Sequence, residues 1–200
     1  MMKKFDLDKS VNEDDLIAGI DEAGRGPVAG PVVAACVVLD YGYDYGYIND
    51  SKQMTEKERL NAYNQIIKHA KSYGVGIVSN EEIDKINILE ATKLAMLEAL
   101  SNLDLNPDLV LVDAVKINAP YKSMSIIKGD TKSLAIAAAS IIAKVTRDKL
   151  MNEYDSLYPK YGFSRHKGYL TKLHQDKIKE FGPCEIHRKS FAPIKDYYVK

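Results

Sequence analysis

Much that would mark other classes of protein is scarce in this sequence. No apolar run approaches the roughly 20 residues needed to span a bilayer, so no membrane helix is expected. Met1 to Asp15 is charged and has no apolar signal core; nothing there directs export, and a cytoplasmic protein is expected. Only two cysteines occur, Cys36 and Cys184, without zinc spacing, and they read as buried or free thiols in a reducing compartment. None of the four histidines falls in a His-Glu-x-x-His pattern, which argues against a zinc enzyme. Repeat units and long linkers are missing too.

What is present is 200 residues, 46% hydrophobic and 28% charged, enough for one domain with a substantial core. Net charge is zero, yet its distribution is uneven. Met1 to Val115 holds 11 Lys and Arg against 20 Asp and Glu, a net of −9; Lys116 to Lys200 holds 17 against 8, a net of +9. A basic C-terminal surface is the footprint that phosphate backbones select, although lysines scattered over solvated helices give the same count.

The chain is organised around Leu16-Ile-Ala-Gly-Ile-Asp21-Glu22-Ala-Gly24-Arg25-Gly26-Pro27-Val-Ala-Gly30-Pro31. Apolar runs bounded by Gly and Pro predict a buried strand over Leu16–Asp21 and a second over Val32–Leu39. Strand neighbours face opposite sides, so Asp21 and Glu22 serve one site only if Glu22 lies past the strand end. The repetitive segment Asp40 to Tyr47 reads as a solvated loop with half-buried tyrosines rather than a stacking platform. Thr55 to Glu58 is a capping box opening a helix to about Lys71. Gly74–Ser79 reads as a third strand, and Asn80–Ile86 as a short helix. Ile88–Leu100 reads as a longer helix with Leu89, Leu94, Leu97 and Leu100 inward.

Leu109-Val-Leu-Val-Asp113 repeats the opening theme of an apolar strand ending in an acid. Ser125–Lys128 predicts a last strand. Ser133 to about Leu157 predicts a helix whose first half is small and apolar nearly all round, hence buried. Asp130 precedes it, where the macrodipole favours an anion. A further helix carries Tyr169, Leu170, Leu173, Ile178 and Phe181 and stops at Gly182-Pro183. The expected architecture is α/β, with a mixed central sheet flanked by helices. Residues 1–15 are expected as a polar lead-in, mobile at its start. Residues 16–158 should form the main domain, and 159–200 a helical extension packed on it.

Strand and helix ends would thus deliver Asp21, Glu22, Asp113 and Asp130, and convergence at one sheet edge would crowd their charges. Each such like-charged pair costs about 4 kcal/mol at 4 Å in an effective dielectric near 20. Protons or cations must offset that, and hard oxygen donors suit Mg²⁺ or Mn²⁺. Two such ions would activate a water and stabilise the leaving oxygen of a phosphodiester.

Ile20-Asp-Glu-Ala-Gly-Arg-Gly-Pro-Val-Ala-Gly-Pro31 resembles the signature of the type 2 ribonucleases H, in particular the bacterial ribonuclease HII group. Asn49-Asp-Ser-Lys52, Leu111-Val-Asp113, the run from Lys128-Gly-Asp130 to Arg147-Asp148, and Tyr161 to Tyr169 extend it in order. The tail Gly182-Pro183 to His187-Arg188-Lys-Ser-Phe191 continues it, so that it covers Ile17 to Phe191. The short N-terminus differs from the sister ribonuclease HIII group, which carries an extra N-terminal substrate-binding domain.

The resemblance implies a ribonuclease H-like fold with extra C-terminal helices. It implies endonucleolytic hydrolysis of RNA in RNA–DNA hybrids, and of single ribonucleotides embedded in duplex DNA. The cut falls on the 5′ side and leaves 3′-hydroxyl and 5′-phosphate ends, which serves ribonucleotide and RNA primer removal. It implies Asp21, Glu22, Asp113 and Asp130 as catalytic metal-binding carboxylates for Mn²⁺ or Mg²⁺, two ions with substrate bound. Gly24, Arg25 and Gly26 match the turn that reads the ribose, and Tyr169 the aromatic that stacks on the sugar. Lys52, Lys128, Lys144 and Arg147 are candidate phosphate contacts. His166 and His187 are expected to support loops rather than act as bases. A monomer is expected.

Two other readings compete. Gly24-x-Gly26-x-x-Ala29 formally fits a dinucleotide fingerprint, but that motif requires a helix next. Here Pro31 leads into the β-branched run Val32–Leu39. A non-catalytic nucleic-acid-binding module would use the basic half alone and has no need of four carboxylates, which repel phosphate.

Overall fold

The structure is a computed structural model that describes residues 1–9, 12, 15–48 and 54–198. A five-stranded sheet forms its centre, built from β1 (Ile17–Ala23), β2 (Val32–Val38), β3 (Ser72–Val78), β4 (Leu109–Asp113) and β5 (Ser123–Ile126). The order across the sheet is β3-β2-β1-β4-β5. The first three strands run antiparallel, whereas β1, β4 and β5 are parallel. The helices are α1 (Met2–Leu7), α2 (Glu56–His69), α3 (Asn80–Ile86), α4 (Ile88–Ser101), α5 (Leu134–Leu157), α6 (Phe163–His166) and α7 (Lys172–Phe181).

Both faces of the sheet are covered, which is why β2 reads as an unbroken apolar run. Val32, Ala34, Cys36 and Val38 pack on the α3–α4 side, and Ala35 and Val37 on the α2–α5 side. Helix α5 presses on β1 at Gly19, where a Cβ would meet the Ala135 and Ile136 backbone at 2.2–2.3 Å. Ser133 caps α5 by accepting the Ile136 amide, and Asp6 of α1 accepts the Ala135 amide at 3.0 Å. The N-terminal residues expected to be mobile therefore include a helix whose Asp6 is fully buried. Asp130 is not the cap of α5.

Several local expectations shift. The capping box at Thr55 and Glu58 is present and opens α2. In α4, Leu100 is buried and Leu97 half-buried, but Leu89 and Leu94 are exposed. The inward face is Ala91, Ala95, Met96 and Ala99 instead. The cause lies in β3: a Cβ on Gly74 or Gly76 would meet the Ala99 or Ala95 carbonyl at 2.1 or 2.0 Å. Contact that close admits only alanines and pushes the leucines to the flanks. Strand β5 lies two residues earlier than expected, set by its register on β4, and Lys128 in the left-handed region (φ 57°) turns the chain away. Helix α7 begins at Lys172, capped by Thr171, so Tyr169 and Leu170 precede it rather than belonging to it.

The Asp40–Tyr47 segment is indeed a loop, and its tyrosines lie against the α2–α5 core. Tyr43 stacks on His69 at 3.9 Å and the Tyr41 hydroxyl donates to Asp6 at 2.8 Å. Gly76→Ala should lower the unfolding free energy by about 1–3 kcal/mol through overpacking. Leu94→Ala should change it by no more than about 0.5 kcal/mol. Urea titration of both variants checks which face of α4 is inward.

Candidate active site

Parallel strands β1 and β4 end at the same sheet edge, and their last paired residues are Ile20 and Val112. Asp21 and Asp113 follow, neighbours on the face that α5 covers. Asp113 Oδ1 accepts the Gly129 amide at 2.6 Å, and Ala114 at φ 49° turns the chain away immediately afterwards. Glu22 does not lie past the strand end as expected, for β1 continues to Ala23. It nevertheless lines the same cleft as Asp21 and Asp113. Beyond Val112 the β4 flank of β1 is open, so side chains from both faces of β1 reach the edge.

This cleft holds about 290 Å³ and is walled by the three carboxylates, the Ala23–Gly26 turn, Ser140, Lys144 and Tyr169. Asp21 Oδ1 accepts the Glu22 amide at 2.7 Å, and Glu22 Oε1 pairs with Arg25 at 3.2 Å. Burial, then the nearby Glu22 and Asp113 charges, holds the Asp21 carboxyl well above the usual carboxylate range. Glu22 is also raised, again chiefly by burial, with Arg25 opposing. Its Oε2 is buried without a hydrogen-bond partner.

Asp130 is buried in a 3₁₀ turn, Gly129–Thr131, and does not line the cleft. Its neighbour Gly129 supplies the amide that holds Asp113. Among the described residues, no group of three or more His, Cys, Asp or Glu is gathered tightly enough to hold a metal ion alone. The donor set still suits a hard divalent cation, which commonly takes one or two carboxylates and completes its shell with water and substrate oxygens. An orphaned buried carboxylate oxygen beside two further acids is the local sign of that fit.

The turn owes its shape to two arginines. Arg147 is 1% exposed and donates to the carbonyls of Ala29, Pro31 and Lys167 at 2.9–3.1 Å. Expected as a phosphate contact, it is instead spent on backbone. Arg188, fully buried, donates to the carbonyls of Gly24, Arg25, Gly30 and Pro31. Burial lowers these guanidiniums to about 10 and about 9. Gly24, at φ 98°, leaves the space Arg147 fills; a Cβ there would sit 2.1 Å from Nε.

The remaining expected residues divide. Gly26 and Tyr169 face each other, with 3.7 Å from the place of a Gly26 Cβ to Tyr169 Cε1. Lys144 reaches the cleft but pairs with Asp148 at 2.7 Å. Lys128 is exposed outside it. Lys52 lies outside the described residues. Sequence reasoning missed Ser140, which bonds to Asp21, and Arg59, which lines the cleft. It also missed the role of Arg188, which entered only as part of the tail motif Gly182 to Phe191.

Comparison with known proteins gives the family and the fold. A family model described as Ribonuclease HII matches residues 18–194. Ribonuclease HII of Lactobacillus helveticus is 48% identical over 198 residues, 98% of this chain and 79% of that protein. Its Bacillus anthracis counterpart is 55% identical over 184 residues, 92% and 72% respectively. Among solved structures, ribonuclease H2 of Pyrococcus horikoshii superposes with a TM-score of 0.76 at 29% identity, covering 90% of this chain and 95% of that one. Ribonuclease HIII in complex with Mn²⁺ shares the fold, with a TM-score of 0.71 at 18% identity over 92% and 69% of the two chains. The expected ribonuclease H-like fold is thus present. With carboxylates, turn and Tyr169 gathered at one sheet edge and a family match over nearly the whole length, this chain belongs to the ribonuclease HII family.

Proposed function

We propose that the protein is a divalent-metal-dependent endonuclease that hydrolyses RNA in RNA–DNA hybrids and cuts on the 5′ side of ribonucleotides embedded in duplex DNA. The products carry 3′-hydroxyl and 5′-phosphate ends, and the cytoplasmic role is ribonucleotide and RNA primer removal. One observation carries the reading: the carboxylates Asp21, Glu22 and Asp113 share a cleft with the Gly24–Gly26 turn and Tyr169.

Asp21, Glu22 and Asp113 would hold the ions, with Asp130, buried outside the cleft beside the Gly129 amide that holds Asp113, as the fourth carboxylate. When bound, Mg²⁺ or Mn²⁺ supplies an activated water and charge to offset the leaving oxygen. Ser140 and the Glu22 amide orient the Asp21 carboxylate. Gly24, Arg25 and Gly26 present backbone to the ribose, whose 2′-hydroxyl is both donor and acceptor. A Cβ at Gly26 would enter free cleft space without striking protein, so its absence serves the ligand rather than the fold. Tyr169 closes the opposite wall as a sugar-stacking plane. Lys144 and the basic residues of the C-terminal extension, residues 159–200, give phosphate contacts, and Lys128 and Lys52 are further candidates for the same role.

On a labelled duplex with one ribonucleotide, a single metal-dependent cut 5′ to it is expected. An all-DNA control or added chelator should give none. Asp21→Asn should lower the rate on the order of 10³-fold or more. Tight binding with no cut in either metal would sink the proposal.

Gly26→Ala should melt like the parent yet lose about 10²-fold in kcat/KM. Gly24→Ala should cost about 1–3 kcal/mol of stability because Arg147 must move. Paired melting curves and rates separate the two glycines.

Stability should also register the crowded acids. A carboxyl raised in the folded state destabilises that state as pH climbs through the ordinary value of 3.8, and the loss persists at neutral pH. Without metal, Asp21→Asn should therefore melt higher than the parent at pH 7, at about 2–4 °C per kcal/mol recovered. The gain should vanish below pH 3.8, where Asp21 is protonated in both states. Mn²⁺ should raise the parent's midpoint more than the variant's; equal shifts in a thermal scan would remove Asp21 from the ion site.

A further inference from the structure

Behind Tyr169 lies a buried group of imidazoles that cleavage does not use. His174 and His187 are fully buried and His166 nearly so. His166 stacks on His174 with ring centroids 4.2 Å apart, and Phe163 lies edge-on to His174 at 5.4 Å.

Their protonation follows from counting donors and acceptors. The Cys184 amide donates to His187 Nδ1 at 2.9 Å, whereas the Cys184 carbonyl, 3.2 Å from the same nitrogen, already accepts the His187 amide at 3.0 Å; Nδ1 therefore carries a lone pair and the proton sits on Nε2. His187 Nε2 faces His174 Nε2 at 3.0 Å; a bond there needs one proton, and His187 supplies it. The His174 proton is therefore on Nδ1, where it reaches the Tyr169 carbonyl at 3.0 Å. The Gly168 amide donates to His166 Nδ1 at 3.2 Å, leaving Nε2–H for the Tyr161 carbonyl at 3.0 Å. All three rings are neutral. Burial is the leading cause that holds His174 down to about 3 and His187 to about 4.

A line of hydrogen bonds thus runs from the tail to Tyr169. The Tyr169 carbonyl already accepts from the Thr171 amide at 2.8 Å, so His174 is not needed to satisfy it and adds constraint instead. The Tyr169 amide donates to the His166 carbonyl at 2.9 Å. Both backbone groups of Tyr169 are therefore held by the cluster, while its ring stands 45% exposed in the cleft. His187 adjoins Arg188, whose guanidinium holds the Gly24 and Arg25 carbonyls on the opposite wall. One pair of rings joins the two walls.

We propose that His174 and His187, as a neutral hydrogen-bonded pair, are positioning residues that fix Tyr169 against the Gly24–Gly26 turn for recognition of the ribonucleotide. This rests on the reading of Tyr169 as the residue that meets the sugar. A shift of about 1 Å in such a contact is enough to cost on the order of 10²-fold in rate.

The test uses His174→Asn, which keeps a donor near the place of Nδ1, and His174→Gln, which reaches His187 but withdraws the donor from Tyr169. On the single-ribonucleotide duplex, His174→Gln should lower kcat/KM about 10–100-fold. It should do so less than about 2-fold when Tyr169 is already Ala, since residues acting through one group are not additive. His174→Asn should recover most of the loss. The chain has no tryptophan, so Tyr169→Trp provides a lone tryptophan that is excited selectively, beyond the absorption of the remaining tyrosines, and its anisotropy should fall when His174→Gln is added. If His174→Gln does not fold, His187→Asn, which withdraws the proton from His174, carries the same comparisons.

Equal losses in both backgrounds with unchanged anisotropy would overturn the proposal and leave the cluster a packing role. Full activity in Tyr169→Ala would instead remove Tyr169 from substrate recognition. Anisotropy then decides the pair alone: a fall keeps it as what fixes Tyr169, and no change overturns it.

Discussion

Two guanidiniums inside the protein hold the site together. The segment from Gly24 to Pro31 makes only one isolated bridge, Ala29 with His187, so most of its carbonyls have no sheet ladder to satisfy them. Arg147 from α5 and Arg188 from the tail bond those carbonyls from beneath. Among the described residues neither guanidinium forms an ion pair; backbone carbonyls take its donors, Asp148 and Asp84 act on Arg147 and Arg188 only through their charge, and burial lowers both below the ordinary arginine range. Arginine suits this task because its fork of donors spans several carbonyls at once. Losing either would strand buried acceptors in the turn that forms one wall of the cleft.

The other wall is set by glycine. Gly19 brings α5 onto the β1 backbone, and that contact places Ser140 beside Asp21 and Arg147 beneath Gly24. Parallel pairing of β1 with β4 then puts Asp113 next to Asp21 at the open edge. The acids are crowded and desolvated, at a cost in stability that a bound cation would offset. Stability and function pull apart here, as they commonly do where charge is concentrated for catalysis. The C-terminal segment closes the frame, for Arg188 and the neutral imidazoles link the turn to Tyr169 across the cleft.

Much of this was legible in the chain. The alternation of apolar runs with Gly and Pro located every strand to within a few residues, and the capping box at Thr55 marked α2. Periodicity misplaced the inward face of α4, because what faces that helix is a pair of glycines on a distant strand. It also could not give α1 a purpose, since Asp6 finds its partner at Ala135, far along the sequence. Of the expected site residues, the motif around Asp21 to Gly26 converged with Asp113 and Tyr169. Arg147 carried the same chemical signature as a phosphate contact and proved to be a brace; a guanidinium's donors are the same whether they meet phosphate or carbonyl.

The sequence by itself determined the local alphabet of the protein: which runs are strands, where helices start, which residues carry charge, and the ordered motifs that mark its family. Those are properties of near neighbours, governed by backbone propensity and side-chain period. Tertiary structure alone decided that Glu22 shares a cleft with Asp21 despite opposite strand parity, and that Asp130 is buried beside the cleft. It also decided that three histidines stay neutral and that two arginines turn inward. The arginines reach carbonyls more than a hundred residues away, the acids meet at a sheet edge, and the histidines gather within the buried C-terminal segment; in each case burial and available partners, not residue type, set what a side chain does.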